Sequence, residues 1–199
     1  MTFPAWILAI DPGKNAGAAL FVRGVLIESW QVKPGGESAI VAEAVVRAEG
    51  EPLVVVRENW MLGGRRKGDK TRHQHIGMLP GLGVAWGRWE GALLNVGVPA
   101  SRIVKVYSRT WQSRVLSGRV LTRESAIAIA KERASTLAHR DVGEDEAVAI
   151  CIGIWATEAP DTLAALSVAE GKVCGVDVHA ARRVVSERAK ARKAQRRRA

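Results

Sequence analysis

The chain has 199 residues, nearly half of them hydrophobic, with a formal net charge of +10 and a pI near 10.3. That length buries a real core in one domain of ordinary size and excludes a disordered chain, and no apolar run approaches membrane-spanning length. So basic a balance is unusual for an enzyme of small metabolites and suits a polyanionic partner, nucleic acid ahead of a membrane surface. Two cysteines, Cys151 and Cys174, have no metal-type spacing, and the start of the chain lacks the basic segment of a secretory signal. Reduced thiols and a cytoplasmic setting are therefore expected.

In chain order, Trp6-Ile7-Leu8-Ala9-Ile10 is a β-forming run that ends on Asp11, after which Pro12, Gly13 and Gly17 turn the chain. Residues 18–22 and 25–30 are further β-forming runs joined by Arg23-Gly24, so 6–31 read as a three-stranded antiparallel meander. Pro34-Gly35-Gly36 breaks the pattern. Ile40, Val41, Ala44, Val45 and Ala48 then recur at helical spacing over 37–49. Residues 52–58 are a β-branched run of the kind found in buried parallel strands, and it too ends on an acid, Glu58. The glycine-rich, strongly basic residues 61–75 read as a loop, and a glycine-interrupted helix with Trp86 and Trp89 follows to about residue 95. A fifth strand covers 103–107, a short helix 110–116, and Thr122 caps a helix to about 134.

The run 147–156 is apolar all round, which marks a buried helix, and Asp141, Glu144, Asp145 and Glu146 gather at its start, where the helix dipole favours acids. From Pro160 the chain turns peripheral and ends in a basic tail. These elements predict an α/β fold with one five-stranded mixed sheet, three antiparallel strands then two parallel ones, flanked by helices. The expected division is a domain over 1–159 and a peripheral helical extension over 160–199.

Asp11 and Glu58 end strands at one edge of the same sheet, and ligands of open α/β sheets bind in the crevice beyond strand C-termini. Asp145 joins them if its helix packs beside the first strand. Each acid has a plainer reading: Asp11 as the turn-forming aspartate before Pro-Gly, Glu58 as a solvated strand end, Asp141 or Glu144 as helix caps. Together, on a basic chain, they form a candidate metal site, because converging carboxylates repel unless hard cations neutralise them. Mg²⁺ or Mn²⁺ suits oxygen ligands of this kind. Two such ions about 4 Å apart activate a water and stabilise the leaving oxygen of a phosphodiester.

Arg65, Arg66, Lys67, Lys70 and Arg72, just after Glu58, are the candidate nucleic-acid contacts, with a merely solvated basic loop as the alternative. Arg114, Arg119 and Arg123 are candidates for phosphate near the scissile bond. Trp60 and Trp111 are placed to stack on an exposed base, whereas His73 and His75, two apart in a loop, make a poor transition-metal pair.

Ile10-Asp11-Pro12-Gly13 with Gly17, Val55-Val56-Arg57-Glu58 with Trp60, and Thr110-Trp111-Gln112 are three of the four pieces that carry a resemblance. The fourth is Asp145-Glu146-Ala147-Val148-Ala149-Ile150 with Gly153 and Trp155. Over residues 5–157 they resemble the RuvC-like Holliday junction resolvases, the phage-encoded branch above all. The resemblance implies an RNase H-like fold and a homodimeric, Mg²⁺-dependent endonuclease, with Mn²⁺ as substitute and two ions per site. It implies action on branched DNA in recombination and repair, no nucleotide cofactor, and Asp11, Glu58 and Asp145 as the metal-binding catalytic acids. The glycine-rich helix with Trp86 and Trp89 is then the expected dimer face.

One departure stands out. The resemblance calls for a second helix acid three residues after Asp145, and this chain has Val148. Either Val148 disables the nuclease and leaves a junction-binding protein, or Glu144 or Asp141 replaces the missing acid. Glu146, about 100° round the helix from Asp145, fits only a shifted alignment. A third reading, an actin-like ATPase lobe with an Asp-x-Gly turn after its first strand, fits a single basic lobe of this length poorly.

Overall fold

The computed structural model describes residues 5–13, 15–59, 72–116 and 122–158, and of residues 72–80 the backbone alone. Trp60, Arg65, Arg66, Lys67, Lys70, Arg119, Cys174 and the extension over 160–199 lie outside the described residues.

The five strands form one sheet in the order β3-β2-β1-β4-β5. β1 (Trp6–Asp11), β2 (Ala16–Val22) and β3 (Val25–Val32) make the antiparallel meander, and β4 (Leu53–Asn59) and β5 (Ile103–Tyr107) add in parallel beside β1. The β2–β3 turn is the two-residue kind expected: Arg23 and Gly24 both take positive φ, 48° and 86°, which matches the twist of the flanking strands.

The helices are α1 (Glu37–Arg47), α2 (Arg72–Asn95), α3 (Ser108–Val115), α4 (Arg123–Ala138) and α5 (Glu144–Glu158). Their bounds differ from expectation in instructive ways. α2 begins at Arg72, so the end of the expected 61–75 loop is helical, and the helix runs through Gly81, Gly83, Gly87 and Gly91 unbroken. Packing against the sheet outweighs the roughly 1 kcal/mol that each glycine costs in a helix. α4 extends to Ala138 because His139 supplies a left-handed cap, while Thr122 Oγ1 accepts from the Ser125 amide at its start as expected. α5 begins at Glu144, which draws Glu144, Asp145 and Glu146 into its first turn and leaves Asp141 outside the helix.

Side chains alternate along each strand, so the sheet has two buried faces. Ile7, Ala9, Phe21, Val56 and Val106 share one face with α3, α4 and α5, whereas Leu8, Ile10, Leu20 and Val55 share the other with residues of α1 and α2. Trp89 is wholly buried on the second face, so it belongs to the core and not to an outer face of α2. Arg57 points to the same side, 2% exposed, and binds Glu90 at 2.9 Å beneath the Trp86 ring. Cys151 is buried in the first core, where burial pushes its thiol up to about 12, as suits an inert reduced cysteine. Among the described residues no helix is long and apolar enough to cross a membrane.

α5 is held closest to the sheet. A Cβ at Gly17 on β2 would lie 1.9 Å from the Asp145 carbonyl oxygen and 2.7 Å from the Glu146 nitrogen. One at Gly153 would lie 2.0 Å from the Phe21 ring. Backbone therefore rests on backbone at Gly17, and a side chain there must lift the start of the helix. Gly17→Ala is expected to cost ~1–3 kcal/mol, the usual range for overpacking a tight core, in a urea unfolding transition. A variant as stable as the parent would show that α5 is not seated on β2 this way.

Candidate functional site

One row of residues crosses the sheet on the α5 face. Gly17 pairs with Asp11 on β1 and with Gln31 on β3. Ile10 lies opposite Arg57, which sets Glu58, the next residue of β4, beside Asp11. The order across the sheet is thus Gln31, Gly17, Asp11, Glu58. Asp145 enters this row from above, because its main chain covers the gap that Gly17 leaves. A methyl placed on Gly13 would lie 3.5 Å from Asp145 Oδ1 and 3.9 Å from Asp11 Oδ1, so both carboxylates border one small space beside that glycine.

Each acid is oriented by neutral donors. Glu58 Oε1 accepts from the Trp111 indole N–H at 2.8 Å in a buried contact, with Ser108 as a second donor. Asp145 Oδ2 accepts from Gln31 Nε2 at 2.9 Å, and Asp11 accepts from the Gly13 backbone N–H. Asp11 and Glu58 are 8% and 6% exposed, and neither forms an ion pair among the described residues.

The electrostatic consequence is direct. Burial, and then the charges of Glu58, Asp145 and Glu144, hold the Asp11 carboxyl well above its ordinary 3.8. Burial also raises Glu58 against the lowering effect of Ser108 and Trp111. Asp145 is raised by burial and by Glu144, and lowered by Gln31 and Arg123. Buried like charges without a counter-ion are what a cation relieves.

The donor set is all oxygen, which suits a hard divalent ion. Among the described residues no three Asp, Glu, His or Cys side chains close into a ready-made ligand cluster. The acids share a notch, with Asp11 and Asp145 nearest the common space and Glu58 close enough for its charge to bear on Asp11. An ion such as Mg²⁺ takes only one or two protein carboxylates and keeps several waters, so an open set of this kind fits it.

The remaining sequence candidates divide clearly. Glu144 is exposed, lies 3.4 Å from Arg123, and is near enough to bear on both Asp11 and Asp145. Asp141 is almost fully exposed beside Lys131 and bears on neither. Glu146 turns away from the notch: buried, it accepts from Ser29 Oγ at 2.7 Å and from Arg140, and it clamps the start of α5 to β3. Val148 packs against the apolar core of the α5 face. Arg114 is held by Glu158 at the far end of α5, about 20 Å along the helix from Asp145.

Arg72 opens α2. Trp111 is 1% exposed, so it cannot stack on a base; it serves Glu58 instead. Gln31, Ser108, Ser29 and Arg140 carried no sequence signal of their own. Their parts depend on the register of β3 and on where α5 lands.

Two solved structures of RuvC from Thermus thermophilus share this fold. The first matches with a TM-score of 0.51 at 17% identity, over 79% of this chain and 96% of that one. The second, RuvC in complex with a Holliday junction substrate, matches with a TM-score of 0.52 at 17% identity, over 80% and 97%. The sequence matches no family model and no curated protein. The chain therefore shares the fold of these RuvC structures, with the five-stranded mixed sheet that its strand order predicts.

Raised carboxyl values make the notch a pH-dependent load on the fold. Such groups favour folding fully below the unfolded carboxyl range, near 4, and that contribution is lost as pH rises through the folded values. Asp11→Asn removes the most strongly raised group. In divalent-free buffer it is expected to match the parent near pH 4 and to exceed it by ~1–3 kcal/mol at pH 8, read from urea unfolding at each pH. A gap that shrinks as pH rises would contradict the charge arrangement described.

Proposed function

We propose that this chain is a structure-selective DNA endonuclease that resolves four-way junctions by metal-dependent phosphodiester hydrolysis. The observation that carries the reading is the notch of carboxylates from β1, β4 and α5, two of them buried and none paired with a cation among the described residues there, on a RuvC-type fold with net charge +10. The Thermus RuvC structure bound to a Holliday junction supports branched DNA as the substrate class.

Asp11, Glu58 and Asp145 are the residues that would hold Mg²⁺, two ions per site with Mn²⁺ as substitute. When bound, such ions lower the pKa of a water and stabilise the leaving oxygen of the phosphodiester. The chain's own contribution is to fix the three carboxylates through Trp111, Ser108, Gln31 and the Gly13 amide. Its basic residues, with Arg65, Arg66, Lys67, Lys70 and Arg72 foremost, hold the phosphate backbone by displacing counterions. Arg123, paired with Glu144 beside the notch, is a better candidate than Arg114 for phosphate near the scissile bond. A homodimer acting in the cytoplasm of a phage-infected or bacterial cell, without a nucleotide cofactor, completes the proposal.

A second reading is favoured by Val148. An apolar side chain packed against the core one turn after Asp145 leaves that turn without a second acid. The chain would then bind junctions without cutting them, unless Glu144, which already bears on Asp11, takes the part.

Two measurements decide between these readings. With Mg²⁺ or Mn²⁺, the protein is expected to cut a four-way junction and spare the matched duplex. Asp11→Asn should lower the cutting rate by about a thousandfold or more while junction binding in a gel shift, steeply salt-dependent, is retained. Junction binding equal to duplex binding, with no cutting of either, would remove the resolvase assignment. Val148→Glu is expected to raise cutting about tenfold or more if the missing acid limits the enzyme. An unchanged rate in an active parent would instead assign the compensating role to Glu144, and Glu144→Gln should then abolish cutting.

A further inference from the structure

Gln31 lies on β3, two strands away from Asp11, yet its side chain reaches into the notch. Its Nε2 lies 2.9 Å from Asp145 Oδ2, 3.0 Å from the Asn15 carbonyl oxygen and 3.5 Å from the Ala16 carbonyl oxygen. Three acceptors around one atom identify it as the amide nitrogen, the only donor in that side chain. The Asn15 carbonyl belongs to the turn between β1 and β2, which begins directly after Asp11, and the Ala16 carbonyl to the first residue of β2. One amide group therefore ties the α5 acid to the turn that carries the β1 acid.

Room for that amide has been left on the far side. A Cβ at Gly143, just before α5, would lie 2.4 Å from Gln31 Oε1. Gly143 and Gly17 thus clear space on either side of the Gln31–Asp145 contact, one for the amide and one for the Asp145 main chain. The bond is also selective between the two carboxylate oxygens. Gln31 holds Oδ2, and Oδ1 is the oxygen that faces the space shared with Asp11 beside Gly13.

We infer that Gln31 is a positioning residue that fixes the rotation of the Asp145 carboxylate, so that Oδ1 and Asp11 face one divalent cation. The inference rests on the metal-dependent reading above and names a residue which that reading does not supply. A neutral amide suits this role, because a lysine or arginine there would orient Asp145 equally well but neutralise it and compete with the cation. Hydrogen-bonding partners behind metal ligands typically carry about 10–100-fold of metal affinity or activity.

The test uses the full chain and three variants, Gln31→Leu, Gln31→Glu and Asp145→Ala. Mn²⁺ binding is measured calorimetrically without DNA, junction cutting is resolved into kcat and KM, and thermal unfolding is followed in parallel. Gln31→Leu is expected to weaken Mn²⁺ binding about tenfold and lower kcat, with KM for the junction and the unfolding temperature little changed. Gln31→Glu, equal in shape but turning donor into acceptor, is expected to lose at least as much.

Should either Gln31 variant fail to fold, Gly143→Ala tests the same contact by displacing the amide, with a loss in the same direction expected. Mn²⁺ affinity within twofold of the parent in the folded variants, while Asp145→Ala loses it, would overturn the role of Gln31 and leave the metal-dependent reading standing. So would a loss that merely follows a fall in unfolding temperature. If Asp145→Ala also binds Mn²⁺ as the parent does, the reading itself fails and the inference goes with it.

Discussion

The start of α5 rests on the bare backbone of Gly17, and the geometry of the notch follows from that contact. Strands β1 and β4 are adjacent and parallel, so their C-terminal acids, Asp11 and Glu58, arrive side by side without further help. The third acid lies far along the chain from Glu58 and comes from a helix, whose backbone ordinarily stands off from a sheet by a layer of interleaved side chains. Only where a strand residue has no side chain can the helix backbone descend far enough to bring Asp145 level with the strand ends. Gly17 is that residue, and it pairs directly with Asp11. Farther along α5, Gly153 meets the Phe21 ring in the same manner, so the helix lies low along its length. A helix so placed is enclosed by the sheet, α3 and α4, which is why its residues are apolar on every side.

Among the described residues, the acids that tie one element to another and the acids of the notch differ in their partners. Glu37 is matched with Arg88, Glu90 with Arg57 and Glu146 with Arg140. In those pairs a carboxylate meets a guanidinium, and the pair joins one element to another. Asp11, Glu58 and Asp145 meet a backbone amide, an indole, a hydroxyl and a side-chain amide instead. Neutral donors orient a carboxylate without cancelling its charge. The contrast is sharpest between neighbours: Asp145 and Glu146 share the first turn of α5, yet one is tied to an amide and the other to a guanidinium. A fold does not keep three converging carboxylates without a direct ion-pair partner for stability's sake, since desolvation and mutual repulsion both act against it. Such a load is characteristic of sites whose counter-charge arrives with a ligand.

Much of this was legible in the residues. The apolar run before Asp11, the β-branched run before Glu58 and the Arg23-Gly24 turn gave the meander, the parallel pair and the shared edge, because strand periodicity and turn chemistry are local. The apolar circumference of α5 announced its burial for the same reason. What stayed hidden is what register and helix depth decide. Gln31 is an ordinary polar residue on an edge strand until its pairing with Gly17 aligns it with Asp11. Trp111 reads as a base-stacking aromatic until its indole is found buried and bonded to Glu58. Glu146 and Asp145 are indistinguishable as adjacent acids, and only the roughly 100° between them on the helix sends one to Ser29 and Arg140 and the other to the notch.

β4 carries this division of labour between the two faces of the sheet in consecutive residues. Glu58 points to the α5 face and the notch. Arg57 points to the other face, where it lies under Trp86 with the ring centroid 5.1 Å away and binds Glu90 on the next turn of α2. Its Nε and Nη1 have no partner among the described residues, so this buried guanidinium depends on Glu90 and the Trp86 π-face for its stabilisation. Removing Glu90 would leave a buried charge without its counter-ion, a loss typically larger than the pair itself contributes. α2 is thus fixed through the residue adjoining Glu58, and α2 starts at Arg72, where the basic segment ends. The strand that supplies one acid of the notch therefore also anchors the helix that follows the glycine-rich basic run of the sequence.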